Sequence, residues 1–258
     1  MDELFYYRLG KKRGGGGEVL LQDKTITENG EYTADAGYDG LGKVTVDVAG
    51  SGGIAAGISY DEFDSKGYLI KATMYGTQVA PYAFYNAINL TSVTIPDNVS
   101  KIGASAFQSC AQLLLDHLPS ALSELETNAF YGCNKIAPQS LPTAITNIPY
   151  GCFTSCNKIS WTSLHEGITS IGANAFSSCT TLAITSLPAS LTDIGSGAFN
   201  NTRFTSLTFK SKPTSLANDT FRNNVSLTVI NVPWAEGEVA NAPWGATKAT
   251  INYNYTGA

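Results

Sequence analysis

The chain has 258 residues, enough to bury a sizeable core in one or two domains. Only 14% are charged, the net charge is -5, and Ser, Thr, Asn and Gly carry most of the polar surface, so no nucleic-acid partner is expected. The one basic cluster legible in the sequence, Arg8, Lys11, Lys12 and Arg13, reads as a solvated tail segment, and no apolar run of about 18 residues predicts membrane insertion.

Met1-Asp2-Glu3-Leu4-Phe5 opens acidic, basic residues follow, and Gly14 to Gly17 come next. A secretory signal has the reverse order, so synthesis and folding in the cytoplasm are expected. Residues 1–17 form a tip with a Gly-rich joint. Residues 18–48 form a small all-β module: Val44, Val46 and Val48 alternate with polar residues, and Asn29-Gly30 is a turn signal. Such a module is too short to stand alone, so it is expected to pair with another copy or dock on a partner. Residues 49–57 are a Gly/Ser/Ala linker. The solenoid spans 58–232, with 58–78 as an irregular first unit whose strand includes Tyr68, Leu69 and Ile70. After Val232 the periodicity stops, and residues 233–258, with Trp234 and Trp244, form a C-terminal cap.

The organising feature is a phenylalanine returning every 23 residues at Phe84, Phe107, Phe130, Phe153, Phe176 and Phe199, then after 22 at Phe221. A fixed period in this range marks a solenoid, whose units bury their apolar faces only against neighbours. Leu90-Thr-Ser-Val-Thr-Ile-Pro96 recurs as Leu113 to Pro119, Ile136 to Pro142, Ile159 to His165 and Leu182 to Pro188. Each unit then carries a second apolar pair, and the repeat ends in Ala-Phe-x-x-Cys, as at Ala106 to Cys110. Ala106, Cys110 and Leu113, at i, i+4 and i+7, predict a short helical turn, so the expected fold class is an α/β-type repeat solenoid, curved and right-handed. One inward slot is filled in the first six units by Val93, Leu115, Pro138, Trp161, Ile184 and Leu207, and both members of the last pair, Val229 and Ile230, are apolar; the slot moves one position earlier in the four central units, which predicts a local bulge. Leu115, Trp161 and Ile184 are thereby core residues, with an outward apolar stripe as the second reading.

The pattern Leu182-Ala-Ile-Thr-Ser-Leu-Pro188, Ile194-Gly195, Ala198-Phe199 resembles the BspA-like leucine-rich repeats over about 160 residues. That resemblance implies adhesion at a surface rather than catalysis. Lys24-Thr-Ile-Thr-Glu-Asn-Gly-Glu-Tyr-Thr33, with Gly37 to Gly40 and Lys43 to Val48, is similar to a short module of tail-associated proteins of phages and prophages of Gram-positive bacteria. The ending Val232 to Val239 with Ala242 to Gly245 is similar to the cap on leucine-rich repeats in such proteins. Together these imply a receptor-binding or tail-fibre subunit of a virion, attached to tail or baseplate proteins through residues 1–48, associated as a homotrimer, and facing a host cell-surface protein or glycan. The alternative is an extracellular or cell-surface bacterial adhesin.

No catalytic or cofactor site is expected. The cysteine ladder Cys110, Cys133, Cys156 and Cys179 runs along the stack instead of converging as zinc ligands must, and reads as small buried residues. An odd count of five cysteines argues against a disulfide framework. Asp116 and His117 are neighbours, and strand neighbours point to opposite faces, so no working dyad is expected. The candidate ligand-facing ladder is the polar position recurring at Thr94, His117, Ser140, Ser163, Ser186, Thr208 and Asn231, with Trp161 as a sugar-stacking platform if it faces out. It reads either as a solvated sheet face or as a hydrogen-bonding groove.

Overall fold

The computed structural model describes residues 21–26, 40–46, 58–64 and 69–257. The tip at 1–17, the linker at 49–57 and most of the 18–48 module lie outside the described residues. The strands in chain order are β1 Leu21–Ile26, β2 Gly40–Val46, β3 Ile58–Phe63, β4 Leu69–Met74, β5 Gln78–Val79, β6 Ser92–Thr94, β7 Lys101–Ile102 and β8 Glu124–Leu125. They continue as β9 Asn147–Ile148, β10 Ser170–Ile171, β11 Ser186–Leu187, β12 Asp193–Ile194, β13 Ser206–Phe209, β14 Ser215–Leu216, β15 Val229–Asn231 and β16 Thr250–Asn252. β3 pairs antiparallel with β4, and β4 then pairs parallel with β6, so this hairpin converts an antiparallel start into parallel coils. β2 pairs antiparallel with β3 and β1 parallel with β2, extending the sheet in the order β1-β2-β3-β4-β6. The partner of β2 is thus this chain's own cap strand.

Each coil has three sides. The second-strand side is the parallel stack β5-β7-β8 followed by β9-β10-β12-β14. The Ala-Phe-x-x-Cys side is not helical, which corrects the expected helical turn: no helix occurs among the described residues. Two left-handed residues four apart interrupt these segments in all coils but the one around Phe221, as at Ser105 (φ 53) and Ser109 (φ 64), Asn174 (φ 56) and Ser178 (φ 61), and Gly151 (φ 60) and Ser155 (φ 61). An α-helix cannot pass through such positions. The backbone bonds between coils instead: Ser105, Phe107 and Ser109 donate to the carbonyls of Thr127, Ala129 and Tyr131 at 2.7–2.9 Å. The same three-bond pattern joins residues 128–130–132 to 150–152–154 and 151–153–155 to 173–175–177.

Because these bonds hold the coils in register, the phenylalanines stack face to face. Ring centroids from Phe84 to Phe221 are 5.0–5.8 Å apart with interplanar angles of 2–11°. Tyr60 meets Phe84 edge-on at the first end. At the other end Trp244, 23 residues after Phe221, accepts a hydrogen bond from the Phe221 N–H on its carbonyl and is fully buried. β16 pairs parallel with β15. The periodicity therefore runs one coil past Val232, with tryptophan in the phenylalanine's place, and Phe209, Trp234 and Trp244 close the core.

The five cysteines are free and buried. The thiols of Cys110, Cys133, Cys156 and Cys179 donate to the carbonyls of Phe84, Phe107, Phe130 and Phe153 at 2.9–3.2 Å. In a later coil Asn224 Nδ2 makes the same bond to the Phe199 carbonyl. The position thus needs a small buried donor and not only a small apolar residue.

Candidate functional site

The first-strand side is the irregular one. It is continuous at both ends, as β4-β6 and as β11-β13-β15-β16, but three successive coils between β6 and β11 form no strand there. The cause is the shifted inward slot. In β6 the buried residues around the slot are Leu90, Val93 and Ile95; in the next coil they are Leu113, Leu115 and Leu118. A one-residue slip reverses the facing of everything after it, so two consecutive residues turn outward before the next apolar residue returns. Pro138 occupies the slot in the following coil and has no N–H to give to a ladder.

The result is a strip two residues wide over four coils: Asp116 with His117, Gln139 with Ser140, Thr162 with Ser163, and Thr185 with Ser186. All are exposed except half-buried Ser186. The candidate ladder is therefore one column of this strip, and Asp116, Gln139, Thr162 and Thr185 are the column that sequence reasoning missed. The switch in apolar order was the signal that pointed to them. The side chains of Gln139, Ser140, Thr162, Ser163 and Thr185 have no hydrogen-bond partner among the described residues. Nor do the backbone N–H groups of His117, Ser140, Thr162 and Ser163.

The ends of the ladder behave differently. Thr94 is exposed on β6, one rung from Thr73, whose hydroxyl donates to Asp61 at 2.6 Å. Thr208 and Asn231 are tied together at 3.1 Å, and Asn252 donates to Asn231 at 2.8 Å, so these rungs are internally satisfied. Trp161 does not join the site. It is 4% exposed, its Nε1–H donates to the Pro138 carbonyl at 2.6 Å, and its ring stands edge-on to Phe153 and Phe176. It offers no stacking platform, because the shifted slot points it inward beside Leu115 and Ile184, which are equally buried.

The Asp116–His117 pair also departs from expectation. The slip places both on the outward face, and His117 Nδ1 lies 2.6 Å from Asp116 Oδ1. The hydrogen bond from His117 holds the Asp116 carboxyl below the usual carboxylate range. Both side chains are largely exposed, and no hydroxyl lies within hydrogen-bond distance of the imidazole among the described residues, so the pair has no nucleophile to activate. His165 is half-buried and accepts the Gly167 N–H on Nδ1, closing a local turn away from the strip.

Burial pushes the thiols of Cys110 and Cys179 up to about 12, and those of Cys133, Cys152 and Cys156 also well up. They are protonated at neutral pH, whereas metal ligation needs thiolates. Among the described residues no three His, Cys, Asp or Glu side chains group as a metal site.

The fold is shared with a solved leucine-rich repeat structure. A leucine-rich cell surface protein from Faecalibacterium prausnitzii is similar at a TM-score of 0.56 and 23% identity, over 71% of this chain and 55% of that one. This chain thus spans about half the length of that protein. A leucine-rich repeat protein from Bacteroides ovatus is 15% identical over 98% of this chain and 76% of its own, with a TM-score of 0.45. No match was found among curated proteins. Six copies of the BspA type leucine rich repeat region match at residues 77–182 and 147–239, more than half of the sequence, and the chain belongs to that family.

Proposed function

We propose that the chain is a non-enzymatic recognition protein that presents its solenoid to a cell surface and binds there a surface protein or glycan through the outward strip from Asp116 to Ser186. One observation carries this reading. On the second-strand side the hydroxyls of Ser123, Thr169 and Thr192 each donate to a carbonyl 23 residues earlier. Among the described residues the slipped strip sets the Gln139 amide, free hydroxyls and unbonded backbone N–H groups side by side over three coils, which is the polar inventory a hydrogen-bonding ligand requires.

The setting in which the rod is mounted is a phage tail fibre or receptor-binding subunit, held to tail proteins through residues 1–48 and trimeric. The resemblance of Lys24 to Thr33 and Lys43 to Val48 to tail-associated modules supports this. A second reading, a bacterial cell-surface adhesin, is favoured by the description of the Faecalibacterium protein as a cell surface protein.

Binding of the full chain to intact cells tests the shared part of both readings. Gln139→Ala, Ser140→Ala, Thr162→Ala and Ser163→Ala combined should abolish binding while leaving the melting midpoint in place. Undiminished binding by that variant rules the strip out. Detection of the chain in purified virions, or in the washed envelope of producing cells, separates the two settings.

A further inference from the structure

The charges of the solenoid are segregated in a way that the linear sequence conceals. Take each repeat from one residue before its phenylalanine to eight after it, with Trp244 standing for the last. The segments 83–92, 106–115, 129–138, 152–161, 175–184, 198–207, 220–229 and 243–252 contain no aspartate or glutamate. They do contain Lys135, Lys158, Arg203, Arg222 and Lys248. Four further cations of the described solenoid, Lys71, Lys101, Lys210 and Lys212, each pair with a glutamate. The first five have no ion-pair partner among the described residues.

Four of them share one structural position, the residue just before the apolar side chain that opens the first-strand side. From coil to coil this position reads Lys135, Lys158, Thr181, Arg203, Ser226 and Lys248, all exposed, ahead of Ile136, Ile159, Leu182, Phe204, Leu227 and Ala249. The register is held: Thr181 Oγ1 donates to the carbonyls of Asn157 and Ile159, the residues that flank Lys158, both at 2.8 Å. One coil separates Lys135 from Lys158, and two coils, about 10 Å, separate Lys158 from Arg203 and Arg203 from Lys248. These spacings lie within about one Debye length at moderate salt, so the four act on a ligand as one field. The edge is thus a single file of cations in a chain of net charge -5.

We propose that this edge is an anion-binding site separate from the outward strip, and that its occupant is a linear acidic polysaccharide lying along the solenoid axis. The single file suits one extended chain whose carboxylates recur along its length, and the asparagines beside the cations, Asn134 and Asn157, match sugar hydroxyls. Nucleic acid fits less well, because no aromatic side chain stands in the file to stack a base and the net charge repels a polyanion of high charge density.

The test uses the full chain and immobilised polygalacturonate at low ionic strength, with a neutral galactan and a single-stranded oligothymidylate as comparison probes. One variant carries K135Q, K158Q, R203Q and K248Q. The second carries K71Q, K101Q, K210Q and K212Q, which removes the same formal charge elsewhere. The wild type should bind polygalacturonate and not galactan, the first variant should bind at least about tenfold more weakly, and the second within about twofold of wild type. The pair K135Q and K158Q alone, which should lose part of the affinity, replaces the first variant if the quadruple change lowers the melting midpoint. The proposal is overturned if wild type fails to bind, if the two variants weaken equally, or if oligothymidylate binds as tightly as polygalacturonate.

Discussion

Two sides of the same coil teach opposite lessons. On the Ala-Phe-x-x-Cys side every second N–H reaches the next coil, left-handed residues set the path, and thiols bond the phenylalanine carbonyls. On the first-strand side the apolar slot slips by one residue, the ladder breaks over three coils, and polar groups are left over. A saturated side is architecture, since its residues are spent on the fold. An unsaturated side of the same solenoid is where a ligand can still be bonded.

The largest expected effect comes from breaking the saturated side. Phe153→Ala removes a ring stacked between Phe130 and Phe176 and should cost about 3–5 kcal/mol, read as a lower melting midpoint. Gly151→Ala comes next. Gly151 has φ 60, and an added Cβ would fall 2.1 Å from Asn128 Oδ1 in the coil before, so strain of about 1–3 kcal/mol is expected in denaturant melts.

The core was legible because each coil repeats it: phenylalanine, cysteine and the opening leucine or isoleucine all fall on the buried rows. The turn geometry was not. A coil closed by two left-handed residues brings Ala106, Cys110 and Leu113 inward at the same spacing as a helix, so apolar period alone cannot separate the two. The serine, asparagine or glycine recurring at 105 and 109, 128 and 132, and 151 and 155 carried the difference. The slip was legible at Leu115, but its consequence for Asp116 was missed because strict alternation was assumed just where a bulge suspends it. The basic edge was invisible because its members lie 23 to 45 residues apart and meet only after the coils stack.

Smaller effects sharpen the comparison. Lys101 bridges Glu124 and Glu126 on the second-strand side, at the regular stack's surface. The hydrogen bond from Lys101 holds the Glu126 carboxyl below its ordinary range. Its stabilisation is therefore present above the ordinary carboxylate range and lost as pH falls through the lowered value. Hydrogen bonds to Glu124 and Glu126 raise the Lys101 ammonium, so that share is complete below the ordinary lysine range and lost as pH rises through the raised value. Glu126→Gln should cost about 0.5 kcal/mol at neutral pH after solvent screening, and flatten the acid side of the stability profile. Smallest of all, Gln139→Ala with Ser140→Ala should leave the melting midpoint unchanged, because neither side chain bonds the rest of the described chain. A fall comparable to that of Gly151→Ala would mean the strip is architecture too.

Backbone hydrogen exchange, resolved by residue, tests the contrast directly. The amides of Phe130, Phe153 and Ser155 should be among the slowest of the described residues, and those of His117, Ser140, Thr162 and Ser163 should exchange rapidly although buried core residues flank them. Equal protection of the two sets would show that the first-strand side is as saturated as the rest, and would contradict the assignment of the strip as the binding surface.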